Sequence, residues 1–148
     1  ALLSVYSLLK IVPLYKWFPS IAWKQIERVL LLLGVIGGFA SLYTGEIAEH
    51  LVRPEHDLVE MHSAFATISV WIYCALLIGE IILIIAMKRA LPNVIVGLGK
   101  ILTNRWLSGV MALVALITIS VTGLLGGVMV YGTSADPFAE IVLKLLGL

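Results

Sequence analysis

Long runs of Leu, Ile, Val and Ala determine what this chain can fold into. Three of them exceed the ~20 residues with which a helix crosses the hydrocarbon of a bilayer, and they lie at about 21–43, 57–87 and 105–131. Hydrophobic residues make up 61% of the chain and charged residues 13%, whereas charged residues are about a quarter of an ordinary soluble domain. The sequence therefore predicts an integral membrane protein.

We expect an all-α fold in which residues 1–148 form a single integral membrane domain. The first segment, 1–15, is too short as written to cross ~30 Å of hydrocarbon and is predicted to be the second half of a truncated span. With the three longer runs it gives a transmembrane four-helix bundle. Pro54 suits the first turn of the third helix, and a semi-polar connection at 91–103 suits a short interfacial helix. The apolar residues after Asp136 fall on one helical face, which predicts a C-terminal helix lying in the membrane interface.

Basic and acidic residues are segregated along the chain, and this predicts its orientation. Most lysines and arginines flank the connections 16–28 and 88–105, which places both in the cytoplasm by the positive-inside rule. The connection 44–62, with all three histidines and five of the nine carboxylates, is then periplasmic. We therefore expect a multi-pass protein of the bacterial inner membrane with an acidic outer face.

Composition and motif exclude several classes of function. A net charge of +1 without a cluster of basic residues on an accessible face argues against nucleic acid as a partner. The single cysteine, Cys74, excludes an intramolecular disulfide, c-type haem attachment and a cysteine-ligated cluster. The chain has neither a Gly-x-Ser-x-Gly motif nor a glycine-rich phosphate loop after a strand. An autonomous enzyme is not expected.

His62 is the side chain best suited to hold a cofactor. Steps of three or four residues from it mark a mostly small or polar stripe that should face the interior, with Ala66, Ser69, Tyr73, Leu76 or Leu77, and Glu80. A neutral imidazole at the end of a helix bundle is a suitable axial ligand for haem iron. The alternative is a histidine that is hydrogen-bonded to a neighbouring carboxylate or carbonyl.

Glycines on the facing helices are relevant to whether His62 binds haem. Haem b needs close access to the backbone, and the sequence offers glycines near the middle of the second span and the end of the fourth, at Gly37, Gly38, Gly126 and Gly127. Glycines at such spacing also let neighbouring helices approach each other in a membrane. Haem b bound by His62 and simple helix packing are therefore both compatible with these positions.

The remaining ionisable residues support weaker hypotheses. Glu80 lies among aliphatic residues, where an acid either takes part in proton transfer or pairs with a nearby Lys88, Arg28 or Lys24. Glu46, Glu49 and His50 share one helical face, but zinc sites normally need a denser cluster. We therefore expect His50 and the third histidine, His56, to be solvated.

Three short motifs give the chain a resemblance to a known family. They are Thr44-Gly45-Glu46 with Ala48-Glu49, then Glu60-Met61-His62, and finally Gly126-Gly127-Val128-Met129-Val130-Tyr131-Gly132. They resemble the bacterial four-helix membrane proteins grouped as domain of unknown function 2231. In that family the first span typically begins with a His-Pro element. This chain lacks the element, and Ala1-Leu2-Leu3 looks like its continuation.

The resemblance implies a redox role. Such domains occur beside haem-bearing or Rieske-type modules, which implies electron transfer at the outer membrane face, with His62 as one haem ligand and a histidine of the missing element as the other. The leading hypothesis is a subunit of a bacterial respiratory or photosynthetic electron-transfer complex, in contact with lipid, other subunits and a periplasmic cytochrome. The alternatives are a cofactor-free accessory subunit that docks redox partners, and proton or ion translocation through His62 and Glu80.

Overall fold

The computed structural model describes Trp23–Val52 and residues 56–148, so the predicted first span at 1–15 and the predicted helix start at Pro54 lie outside the described residues. The described part is helical and contains no strand, which confirms the predicted all-α class. Its α-helices are α1 (Trp23–Val52), α2 (His56–Ala86), α3 (Asn93–Leu102), α4 (Arg105–Tyr131) and α5 (Ala139–Leu146), with a 3-10 helix at Thr133–Ala135.

Three of these helices identify a membrane protein. Most of α1, all of α2 and all of α4 are long and apolar enough to cross a bilayer, at Lys24–Glu49, His56–Ala86 and Arg105–Tyr131. The 27 residues of α4 correspond to roughly 40 Å at the helical rise, more than the ~30 Å of hydrocarbon. Its bounds coincide with the predicted span at 105–131.

Helix α1 continues well beyond its predicted end near residue 43. It runs to Val52 through Thr44, Gly45 and the acidic residues that follow, so the segment 44–52 is helix and not an open loop. Glu and Ala are good helix formers, and the Thr44 hydroxyl lies 2.9 Å from the Ala40 carbonyl oxygen. The polar residues that begin at Thr44 mark the end of the apolar run, but the helix itself ends at Val52.

Contacts divide the chain into two compact units. The first, called the hairpin unit, contains residues 23–36 of α1 and the segment Ile72–Leu113. The second, called the histidine unit, contains the described residues of Gly37–Trp71 together with Val114–Leu148.

Within the hairpin unit, α3 folds back along the end of α2. A Cβ built on Gly99 of α3 would lie 2.7 Å from Cγ2 of Ile82, and a Cβ built on Gly79 of α2 would lie 2.7 Å from Cβ of Leu102. Gly99 contacts Ile82, whereas the later residue Leu102 contacts the earlier residue Gly79, so the two helices run antiparallel. Only glycine permits so close an approach at these two points. The connection predicted at 91–103 therefore contains a short helix that packs closely against α2.

Replacing Gly79 with alanine is expected to destabilise this hairpin by about 1–3 kcal/mol, because the new methyl group would overlap the Leu102 side chain at its fixed Cβ. Thermal unfolding in a mild detergent would measure the change. Gly97→Ala in α3 is the matched control, since nothing lies within 4 Å of a Cβ at that position and alanine favours the helix. Equal losses in the two variants would contradict the close contact.

Side-chain hydrogen bonds organise the start of α4 and the turn before α5. Asn104 Oδ1 accepts a hydrogen bond from the backbone N–H of Trp106 at 3.0 Å and thereby caps the start of α4. After α4, the Asp136 carboxylate accepts one from the Phe138 N–H at 2.8 Å. The C-terminal helix α5 then leaves Phe138, Ile141 and Leu145 exposed, as an interfacial helix would.

Candidate functional site

His62 lies about two turns into α2, in the histidine unit, and is half-buried. Its Nδ1 is 2.9 Å from the backbone carbonyl oxygen of Thr122 on α4. A carbonyl oxygen only accepts hydrogen bonds, so Nδ1 carries the proton that is donated to it. In the neutral imidazole, Nε2 then bears a lone pair, which is the form that binds a metal.

Gly126 of α4 makes room for this imidazole. A Cβ at position 126 would lie 3.2 Å from Cε1 of His62 and 3.5 Å from its Nδ1. Thr122 and Gly126 are four residues apart and so share one face of α4. The histidine ring therefore packs against a small surface formed by one backbone carbonyl and one glycine.

Hydroxyl groups connect the same two helices beyond the histidine. Ser69 Oγ donates to Thr118 Oγ1 at 2.7 Å, and both residues are buried, with 2% and 7% of their surface exposed. The Thr118 hydroxyl lies 3.0 Å from the Val114 carbonyl oxygen, and the Thr122 hydroxyl lies 2.9 Å from the Thr118 carbonyl oxygen. These bonds satisfy the polar groups that the contact buries. The bonds from Ser69 to Thr118 and from His62 to Thr122 join the two helices and fix the register of α2 against α4.

The glycines of α1 have different surroundings. A Cβ at Gly38 would lie 2.8 Å from Cγ2 of Val70, so this glycine is in close contact with α2. Next to it, the rings of Phe39 and Trp71 meet edge to face with centroids 6.2 Å apart, a favourable arrangement of two aromatic rings. Gly37 has nothing within 4 Å of a Cβ, and the same holds for Gly127 on α4.

Among the described side chains, neither the acidic residues nor His56 lie beside His62. His56 Nε2 is 4.0 Å from a Glu60 carboxylate oxygen, and both side chains are largely exposed. Glu46 and Glu49 are exposed on α1. Within the described residues, no group of three or more His, Cys, Asp or Glu side chains could hold a metal ion. The side chain of His50 is outside the described set.

Glu80 forms ion pairs in the hairpin unit. Arg28 Nε donates to Glu80 Oε2 at 2.8 Å, and Lys24 Nζ lies 3.9 Å from Oε1. The Arg28 and Glu80 side chains are 25% and 16% exposed, so the pair is largely buried between α1 and α2. Of the three cations that the sequence offered as partners, these two from α1 are the ones in place. The ion pair accounts for the position of Glu80 without a role in proton transfer.

The stripe predicted on α2 is buried or half-buried along its whole length, from His62 to Glu80. Sequence reasoning named Gly126 but missed Thr118 and Thr122 as partners on α4, although the three residues recur at intervals of four. That interval places small and polar groups on one helical face, which is the signal that identifies the surface facing His62.

The structure brings two of the three family-like motifs together, because His62 of the second motif packs against Gly126 of the third. No model of a known protein family matches the chain, and no curated protein and no solved structure matches it. The resemblance to domain of unknown function 2231 therefore rests on the short motifs alone and stays a prediction.

Proposed function

We propose that the chain is a membrane subunit of a bacterial electron-transfer complex and that it binds haem b through Nε2 of His62. The observation that supports this most directly is the hydrogen bond from His62 Nδ1 to the Thr122 carbonyl oxygen. Metal-bound histidines usually donate their second ring N–H to a carbonyl or carboxylate, which fixes the tautomer and orients the ring. Here α4 supplies that second partner.

The surrounding residues fit a haem ligand in part. Gly126 accommodates the imidazole, and Gly37 and Gly127 leave open space at their positions. Gly38 does not, since Val70 already fills its surface. When bound, haem supplies reversible one-electron chemistry, and the protein supplies the ligand, its orientation and a buried environment. Ser69, Thr118 and Thr122 would hold the ligand rigidly between two helices.

His62 would supply one ligand to the haem iron. Among the described residues, no second histidine side chain contacts the site, because His56 is exposed beside Glu60. The family resemblance implies a histidine from the first span as the other ligand. A histidine supplied by a partner subunit would serve the same purpose.

Charge supports an outer, acidic side for the histidine unit. Its described residues include one lysine, Lys144, and six carboxylates, at Glu46, Glu49, Asp57, Glu60, Asp136 and Glu140. In the bacterial inner membrane the positive-inside rule then predicts that these acids are periplasmic, where they favour association with a basic cytochrome.

The predicted orientation can be tested by labelling. In intact cells, a membrane-impermeant maleimide should label Glu60→Cys but not Arg89→Cys, each made in a Cys74→Ser background. The opposite pattern would reverse the orientation.

Absorption spectroscopy tests the haem proposal directly. The full chain, expressed with supplied haem and purified in mild detergent, should show a Soret band and α and β bands that sharpen on reduction. His62→Ala should abolish them. His56→Ala is the matched control, because this exposed histidine is on the same helix but contacts only Glu60. It should leave the spectrum unchanged.

Haem ligation by His62 would be refuted either in the wild-type protein or in the variants. One such result is a wild-type protein that shows no haem absorption after reconstitution. The other is a spectrum that survives His62→Ala or is lost equally in His56→Ala. Adding imidazole to the His62→Gly variant provides a further check, since a true ligand site should regain the bands.

The second candidate is a cofactor-free accessory subunit. It is favoured by a specific observation, namely that Gly38 and Gly126 are both occupied by side chains of α2, as helix-packing glycines are. On this hypothesis the acidic surface docks a redox partner, and His62 only links α2 to α4. Absence of haem from the wild-type protein, together with a loss of stability in His62→Ala, would favour it.

A further inference from the structure

The chain has a long segment without any acidic residue. Between Glu80 and Asp136 there is no Asp or Glu, whereas the same segment contains Lys88, Arg89, Lys100 and Arg105. All four are exposed and belong to the hairpin unit. No acidic residue of this segment is therefore available to pair with Lys88, Arg89 or Lys100.

Lys88, Arg89 and Lys100 lie in a hydrogen-bonded turn and a helix. Lys88 and Arg89 are in the turn after α2, where both backbone N–H groups donate to the Ile85 carbonyl oxygen at 2.9 and 2.8 Å. Lys100 is in the last turn of α3, close to the Gly99 contact with Ile82. Within the described residues none of these three has a carboxylate partner, and Glu80 is held by Arg28. We call the turn at 87–92 together with α3 the basic hairpin.

Apolar side chains are exposed on the same basic hairpin. Val94, Leu98 and Ile101 on α3 are 84%, 49% and 58% exposed. Trp106, two residues after the end of the connection to α4, is 82% exposed. Exposed aliphatic residues beside lysine and arginine, with a tryptophan close by, are typical of an element at the boundary between lipid headgroups and acyl chains.

We propose that the basic hairpin binds anionic phospholipid headgroups of the surrounding bilayer. Lys88, Arg89 and Lys100 interact with the headgroup phosphates, and the exposed residues of α3 enter the acyl layer. A soluble phosphate would satisfy the three cations but not the apolar face, and a lipid satisfies both. Because the basic hairpin lies outside the histidine unit, this inference does not depend on haem binding.

Tryptophan fluorescence provides the experiment. The chain contains Trp17, Trp23, Trp71 and Trp106, so phenylalanine at the first three leaves Trp106 as a reporter next to the basic hairpin. The full chain is reconstituted in phosphatidylcholine with increasing brominated phosphatidylglycerol or brominated phosphatidylcholine. The two quenching curves give a relative association constant. We expect roughly fivefold preference for phosphatidylglycerol at Trp106, about the effect of one basic residue near an anionic surface.

Matched variants determine whether the basic hairpin causes this preference. The combination Lys88→Gln, Arg89→Gln and Lys100→Gln should bring the ratio close to one, while Lys88→Arg, Arg89→Lys and Lys100→Arg together should retain it. A chain that keeps only Trp71, which is exposed in the histidine unit, should show no preference.

The proposal is overturned by equal quenching by the two lipids at Trp106, by the same preference at Trp71, or by a preference that survives the glutamine variant. Removal of the preference by millimolar inorganic phosphate at constant ionic strength would also overturn it, because the cations would then bind soluble phosphate. Loss of the preference in the glutamine variant alone supports it.

Discussion

Replacing Arg28 with methionine should destabilise the protein by about 3–5 kcal/mol, because it leaves the Glu80 carboxylate largely buried without its hydrogen-bonded cation. Methionine conserves most of the aliphatic volume, so the loss would come from the charge. Lys24 cannot replace the partner, since its amino group is 3.9 Å from Glu80 and its side chain is 54% exposed. Thermal or denaturant unfolding in detergent, followed by circular dichroism, would measure the change.

Two further variants separate the ion pair from general packing. Lys24→Met should cost less than about 1 kcal/mol, as expected for an exposed ion pair. The double variant Arg28→Met and Glu80→Met should recover most of the lost stability, since no buried charge is then unpaired. If Arg28→Met and Lys24→Met cost the same, the pair between Arg28 and Glu80 is not the dominant contact between α1 and α2 in the hairpin unit.

Apolar runs predicted the existence of the long helices but not all of their ends. For α4 the ends of the apolar run coincide with the ends of the helix, because Asn104 caps its start and Gly132, with φ of 75°, follows its end. Both are local signals that can be read in a sequence. For α1 the apolar run ends before the helix does. Hydropathy indicates where a helix leaves the hydrocarbon layer, but the helix itself can continue beyond that point. Glu46 and Glu49 are polar and also good helix formers, so α1 continues to Val52.

The fold of the hairpin unit depends on contacts that no local pattern contains. The sequence contained Gly79 and Gly99, and glycines predict a close approach of some kind. Their partners, Leu102 and Ile82, are set by the direction in which α3 returns after the turn. The same reasoning applies to Glu80, for which the sequence offered three cations and only three-dimensional structure selects Arg28 and Lys24.

At the site, helix period placed His62 on the interior face of α2 but could not identify its partner. That partner is the backbone carbonyl of Thr122, and a carbonyl is present at every residue. The neighbouring glycines Gly37 and Gly38 show a similar limit of prediction from sequence. Gly37 and Gly38 differ by about 100° around α1, and only Gly38 faces Val70. A sequence can predict that one of two neighbours is in contact, but the helix rotation decides which.

Gly126→Val should displace the imidazole of His62, and its effect tests the geometry independently of haem. The first added carbon would already lie 3.2 Å from Cε1, and two further methyl groups require the ring to move away from the Thr122 carbonyl oxygen. We expect a loss of about 1–3 kcal/mol in unfolding free energy from overpacking. If His62 binds haem, the Soret band should fall to the level seen in His62→Ala.

Gly123→Val is the matched control, since it adds the same group to the same helix at a position with nothing within 4 Å. It should leave both stability and spectrum close to wild type. Loss of stability in Gly126→Val with an unchanged haem spectrum would place haem elsewhere while keeping the contact between α2 and α4. No loss of either would mean that His62 does not pack against Gly126. The two measurements therefore distinguish an error in the proposed ligand from an error in the site itself.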